Sequence, residues 1–365
     1  MKHARETLGV LAQLSKARLS ALVVCTSAAG FVVGSGEEVD YRKMAWTSAG
    51  TFACAAAANT LNQVYEVRND SLMQRTCRRP LPTGKISPRN ALLWAAACGA
   101  FGCWTLAREA NATTAALGAG NIALYAGVYT PLKQISMWNT WVGALVGAVP
   151  PVMGWTAAAG SPEPGSLVLA SALHFWQLPH FLSLAWICKD DYAKGGYRML
   201  SLLDKSGGRR TAACALRNAI YLLPIGFLAQ HLNVADEEFT HQAAALSTAL
   251  ACSALVFFID PSKNTARVLF GASLVHLPLF MGSLLMHRLP QRRGAASEVE
   301  VEEGAAQRRA RDARRDTERR HRESPWLPDP LMMPPFPFLP LPGLEYSGGR
   351  STEASTKAGG GDSGS

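Results

Sequence analysis

The sequence predicts an all-α, polytopic membrane protein with about nine transmembrane helices in one bundle. Three observations predict it. Of 365 residues, 48% are hydrophobic and only 17% charged, against about 25% charged in ordinary soluble domains. Apolar stretches recur at 19–35, 45–61, 91–107, 114–130, 140–158, 166–187, 213–232, 242–259 and 266–287, each near the roughly 20 residues that cross about 30 Å of hydrocarbon. Charge also alternates from loop to loop. With one crossing per stretch, 20 Lys+Arg fall on one side, flanking helix ends included, and three (Arg42, Lys43, Arg108) on the other. That other side is acidic instead (Glu37, Glu38, Asp40, Asp236, Glu237, Glu238). The positive-inside rule places the basic side in the cytoplasm or the mitochondrial matrix, with an odd helix count and the C-terminus opposite.

The stretches are rich in Ala, Gly, Ser and Leu, small residues that let helices approach closely in lipid. Residues 1–18, with Lys2, Arg5, Lys16 and Arg18, read as an N-terminal extension too short for a cleavable targeting segment plus spacer. Residues 19–287 read as the transmembrane domain. From 288 to 365 the composition changes: a mixed-charge run Arg308–Arg322, eight prolines between Pro325 and Pro342, then a Gly/Ser end. Such a segment buries too little apolar surface to offset its ordering entropy and is expected to be a disordered tail.

The net charge of +9 does not signal nucleic-acid binding. Thirteen of the 36 Lys+Arg lie at or after Arg288, and the others sit in loops between apolar runs rather than on a soluble basic face. The eight cysteines form no CxxC pair, which argues against a disulfide scaffold or a structural zinc site.

Two loops on the basic side, 62–90 and 188–212, are long and polar. In the first, Asn62, Glu66 and Asp70 are spaced i, i+4, i+8. On a continuous helix this makes a ladder of oxygen ligands about 12 Å long at the membrane mouth. Hard cations such as Mg²⁺ take carboxylate oxygens and keep positions for substrate phosphates. Arg75, Arg78, Arg79 and Lys85 follow, cations suited to hold a diphosphate and neutralise it as it leaves. A polar rim that only marks the interface is the plainer alternative; acids and cations together favour a metal–diphosphate site.

The second loop carries Asp190, Asp191, Tyr192 and Lys194, then Gly195-Gly196, where backbone can approach an anion. It follows an apolar stretch holding Trp176, His180 and Phe181. Two acidic clusters on one side point to metal ions bridging one diphosphate. His180 reads as a packing histidine, a proton acceptor or an axial contact to a haem iron. Lys133 and Asn139, in the loop 131–139, share that side; for Asn139 a helix cap is as good an account as substrate contact.

In order, Asn62-xxx-Glu66-xxx-Asp70-xx-Met73-x-Arg75-Thr76-xx-Arg79-Pro80-Leu81, Tyr129-Thr130-Pro131-Leu132-Lys133, Asn139-Thr140-Trp141-Val142-Gly143, Pro150-Pro151-Val152-Met153-Gly154-Trp155 and Trp176-Gln177-Leu178-Pro179-His180-Phe181 resemble the haem-modifying branch of the UbiA-type intramembrane prenyltransferases. The likeness covers about 8–287, and its wording is closest to eukaryotic forms. It implies farnesyl diphosphate and haem B as substrates, Mg²⁺ held by Asn62, Glu66, Asp70 and Asp191 with Asp190 beside them, and a diphosphate held by Arg75, Arg78, Arg79, Lys85, Lys133 and Lys194. Contacts to haem or prenyl chain would come from Tyr65, Asn139, Trp176, His180 and Tyr192. It also implies the mitochondrial inner membrane, with haem A synthase or oxidase-assembly proteins as partners. One departure stands out. The second DxxxD motif is incomplete, since Gly195 follows Asp191 by four residues and Lys194 follows Asp190. Three other readings compete: prenylation of a quinone-precursor ring or a chlorophyll precursor; a transporter, which predicts charges at the midplane rather than at one mouth; and a haem-holding assembly factor without catalysis, which needs ligand histidines and no metal–diphosphate site.

Overall fold

The structure is a computed structural model, and it describes residues 2–291. The helices are α1 (Lys2–Leu14), α2 (Ala17–Val33), α3 (Tyr41–Tyr65), α4 (Val67–Leu72), α5 (Pro88–Glu109), α6 (Ala112–Ala123), α7 (Thr130–Ile135), α8 (Asn139–Ala159), α9 (Ser166–Ile187), α10 (Lys189–Lys194), α11 (Leu200–Leu203), α12 (Arg209–Ile220), α13 (Ile225–His231), α14 (Glu237–Ile259) and α15 (Lys263–Met286). A π-helical turn, Leu124–Tyr129, joins α6 to α7. The described chain is all-helical, as expected.

The count of about nine crossings is only partly met. Among the described residues, six helical spans are long and apolar enough to cross a membrane: α5, α8, α9, the α12–α13 pair, α14 and α15. A seventh is α1 with α2, bent by 57° at their junction. The remaining two apolar stretches are helical but atypical. Along α3, buried polar residues (Asn59, Thr60, Asn62, Gln63) face the bundle interior, so the helix is long enough but not apolar enough. The 114–130 stretch is broken by the π turn, a distortion frequent at functional sites.

Short polar residues start several helices. Side chains of Asp40, Ser87, Asn111, Asp236 and Ser262 each accept a hydrogen bond from a backbone N–H of the first turn, satisfying donors that lipid and loop leave orphaned. Small residues then set the packing. α2 crosses α8 with backbone in contact: a Cβ on Gly30 would lie 2.0 Å from Pro151 O, and one on Gly154 1.8 Å from Ser27 O. Bulky apolar side chains such as Leu22, Leu93, Phe227 and Val275 face outward, exposed, as lipid-facing surfaces are.

The ends carry more structure than the sequence implied. The N-terminal extension forms α1, and Gln63 Nε2 donates to Gln13 O and Leu14 O at 3.1 and 2.7 Å. The chain stays packed past 287: Arg288 Nη1 donates to Ser35 O and Gly36 O, both at 3.1 Å. The expected disordered tail otherwise lies outside the described residues.

Candidate active site

Two helix breaks build the site, and they are alike. α3 stops at Glu66 (φ −96°, ψ 11°) and α4 resumes. α9 stops at Cys188 (φ −96°, ψ 21°) and α10 resumes. The two hinges meet across one mouth. Asn69, three residues after its break, donates through Nδ2 to Gly195 O at 2.6 Å. Asp191, three residues after its own, accepts from Gln74 N at 2.7 Å and Arg75 N at 3.4 Å. The two polar loops therefore share one side and touch. The Asn62–Glu66–Asp70 ladder, however, is not one straight helix, because Glu66 itself is the break.

The first hinge is buried and ion-paired. Asn62 Oδ1 accepts from Lys16 Nζ at 2.9 Å, and Asn62 Nδ2 donates to Thr130 Oγ1 at 3.1 Å. Lys133 pairs with Glu66, their side chains only 11% and 3% exposed. The Glu66 oxygen that meets Lys133 Nζ is Oε1, itself buried. Arg79 Nη1 donates to Asp70 Oδ2 at 2.7 Å. Burial pushes the Asp70 carboxyl above the usual carboxylate range, with Arg79 pulling against it. Lys133 Nζ also lies 4.9 Å from the Tyr129 ring and 5.5 Å from the Tyr197 ring.

The second hinge differs at the decisive position. Four residues after the break, where the first hinge has Asp70, the second has Tyr192. Arg75 Nη2 donates to the Tyr192 hydroxyl at 3.3 Å. Asp190 was expected beside the metal but is turned outward, its side chain 78% exposed and paired with Lys263 at 3.0 Å. The hydrogen bond from Lys263 holds the Asp190 carboxyl below its usual range. The reason is helical geometry: adjacent residues diverge by about 100°, so Asp190 and Asp191 cannot both face the mouth. Asp191, expected to ligate metal, is committed to the two backbone N–H groups.

Other expected residues divide the same way. Arg78 and Lys85 are exposed. Lys194 is exposed and borders a shallow pocket of about 370 Å³ with Gln74, Arg75, Asp190 and Asp191. Tyr65 is 51% exposed, one residue and thus about 100° off the Glu66 face. Asn139 is a fastener: its Nδ2 donates to Ser136 O at 2.6 Å and Arg198 O at 2.9 Å.

Beneath the mouth lies a cavity of about 290 Å³, bordered by Asn59, Tyr125, Tyr129, Gln177, His180 and Phe181 among others. The π turn delivers Tyr125 and Tyr129 to its wall. Trp176 is buried behind it and donates through Nε1 to Ser273 O at 2.9 Å.

Lys16 is the chief residue that sequence reasoning missed. It sits between α1 and α2 at φ 43°, ψ 52°, a left-handed conformation uncommon outside glycine and often found where function holds it. That kink aims Nζ at Asn62, within electrostatic range of Glu66, Asp70, Arg79 and Lys133. A lysine before an apolar run reads as a snorkelling anchor; the backbone angle that redirects it has no sequence signature. Tyr197 and Thr130 were missed too, though Thr130 follows Tyr129 in a quoted motif.

As to metal, among the described residues no three His, Cys, Asp or Glu side chains converge as a preformed site. Mg²⁺ bound with a diphosphate does not need that, because one or two carboxylates suffice when phosphate oxygens and water complete the shell. Glu66 and Asp70, with the Asn62 amide, are hard oxygen donors of the right kind gathered in one buried hinge. The residues fit such an ion.

A bundle of lipid-facing helices with acids and cations over an apolar cavity defines an intramembrane group-transfer enzyme acting on a lipid-like diphosphate. The chain belongs to the UbiA prenyltransferase family, whose profile matches residues 22–284. It is 45% identical over 332 residues to a mitochondrial protoheme IX farnesyltransferase of Arabidopsis thaliana, covering 90% of this chain and 76% of that protein. It is 43% identical over 288 residues to the mitochondrial protoheme IX farnesyltransferase of Homo sapiens, covering 79% of this chain and 64% of that one. Among solved structures, a digeranylgeranylglyceryl phosphate synthase superimposes with TM-score 0.67 at 14% identity over 77% of this chain and 98% of that one. A UbiA homologue from Archaeoglobus fulgidus bound to DMAPP and Mg²⁺ gives 0.55 at 16%, over 75% and 98%. At such identities the likeness is one of fold.

Proposed function

We propose that the chain transfers the farnesyl group of farnesyl diphosphate to a vinyl group of haem B, giving haem O. The observation that carries this is the buried first hinge: three oxygen donors, each engaged by a protein cation, at the mouth of an apolar cavity. The names of the plant and human relatives support the substrates. Glu66, Asp70 and the Asn62 amide would hold Mg²⁺, which supplies charge neutralisation to a diphosphate; the Archaeoglobus homologue's ligands support that choice.

Lys16, Lys133, Arg79 and Arg75 then act on the leaving group. Without substrate each is held by a protein oxygen, Lys133 and Arg79 by the carboxylates of Glu66 and Asp70, Lys16 by the Asn62 amide and the exposed Arg75 by the Tyr192 hydroxyl, so no bare cation is buried, which would be costly. As the diphosphate arrives they transfer to its oxygens and take up the charge that grows when the C1–O bond breaks. The allylic cation left behind meets the Tyr125 and Tyr129 rings, whose faces favour positive charge. The vinyl carbon attacks C1, and the resulting porphyrin-side cation takes up water and releases a proton, giving a hydroxyethylfarnesyl side chain. All nine apolar stretches would cross the mitochondrial inner membrane, with the mouth facing the matrix, where the positive-inside charge count favours it.

The test is direct. Membranes containing the chain receive haem B, farnesyl diphosphate and Mg²⁺, and product is sought by mass. The expected result is haem O, lost on chelation and restored by Mg²⁺. No farnesylated porphyrin from a folded chain overturns the reading.

A further inference from the structure

One side chain on the cavity wall is prepared for a task that diphosphate chemistry does not use. His180 Nδ1 lies 2.9 Å from Ser273 Oγ. The Ser273 hydroxyl proton is already given to Phe270 O, at 2.6 Å. A hydroxyl has one proton to donate, so Ser273 Oγ accepts from His180, and the proton on the ring is at Nδ1. Nε2 therefore carries an unprotonated lone pair, and among the described residues no hydrogen bond engages it. The ring is held flat between Trp176 (centroids 4.8 Å apart, planes 17° apart) and Phe270 (4.8 Å, 26°). Trp176 is in turn fixed by its bond to Ser273 O. Tautomer, plane and direction are thus all set by three neighbours, and the residue borders the cavity.

This is the arrangement by which an oxygen behind Nδ1 prepares Nε2 to bind a metal. A general base would have to become a cation in an apolar wall, at a desolvation cost; a ligand stays neutral throughout. We propose that His180 Nε2 binds the iron of the porphyrin acceptor and so fixes where the macrocycle docks. The proposal rests on the haem reading above and adds to it an iron-dependent anchor, distinct from the diphosphate rim.

The experiment uses the full chain in lipid nanodiscs, titrated with haem B and, in parallel, with metal-free protoporphyrin IX, both read optically. The wild-type chain should bind haem B about tenfold or more tighter than the metal-free ring, with the spectrum of histidine-ligated iron. Equal affinity for the two rings overturns the anchor without any variant being made. His180→Ala should lose the histidine-ligated spectrum and the preference for iron, and added imidazole should restore the spectrum. A merely structural histidine would not be rescued so. A His180→Ala chain that keeps the wild-type spectrum also overturns it. The two readings fail separately: farnesylated haem without iron preference sinks only the anchor, whereas no farnesylated haem at all sinks the function.

Discussion

The two hinges are the same backbone device put to different use. Each is a long helix broken at similar angles and continued by one short helix, and each sends the third residue after its break across to the other. What differs is what water can reach. Around the first hinge, Asn62, Glu66 and Asp70 are 1–2% exposed, and each is matched by its own cation. At the second, Asp190 is a surface residue, Asp191 is a latch, and the position matching Asp70 is a phenol. The comparison teaches that an acidic cluster in a sequence is not a set of equivalent ligands. Burial makes a carboxylate consequential, because only there does removing its partner leave an uncompensated charge.

Lys133→Met should break this contrast most severely. It strands Glu66 in the interior, and losing one partner of a buried pair costs about 3–5 kcal/mol. Adding Glu66→Gln should recover much of the thermal stability and none of the turnover, as measured by unfolding in detergent alongside product formation. Asp70→Asn keeps shape and removes charge. Turnover should fall about a hundredfold to a thousandfold, the scale of one group aimed at developing charge; an unchanged rate would falsify its role at the diphosphate.

At the second hinge, Asp191→Ala should cost about 1–3 kcal/mol locally, because two N–H groups lose their acceptor. Faster hydrogen exchange at Gln74 and Arg75 is the readout, with turnover falling about tenfold. Further along the same loop, Asp204 caps α12, accepting from Thr211 N at 2.7 Å and Ser206 N at 2.9 Å. Burial raises its carboxyl, but these hydrogen bonds prevail and hold it below the usual value of 3.8. A lowered folded-state value stabilises above the unfolded one and is lost as pH falls through the folded one. Asp204→Asn should therefore cost about 1 kcal/mol near neutrality, a gap to the wild type that closes below pH 3.8. The smallest effect belongs to Asp190→Ala, whose turnover should stay within about twofold of wild type. A large loss there would mean that the second hinge reorganises around substrate.

Much of the site was legible because charge in an apolar sequence has few places to go. The i, i+4, i+8 spacing of Asn62, Glu66 and Asp70, and the basic residues after it, were enough to locate the mouth. The alternation of basic and acidic loops put both clusters on one side. Division of labour within each cluster was not legible. Neighbours such as Asp190 and Asp191 look interchangeable until a helix axis separates them, and Tyr65 looks like a wall until it turns outward.

By itself, then, the sequence determined an all-helical membrane chain and the segments that carry its acids and bases, since composition and period are local properties. Only the tertiary structure decided which charges are buried together. It made Lys16 a site residue through a left-handed turn, tied Asp191 to the opposite hinge, and set the His180 tautomer through a serine 93 residues away. Those outcomes depend on contacts between distant segments, and no local pattern encodes the distance at which two side chains will meet.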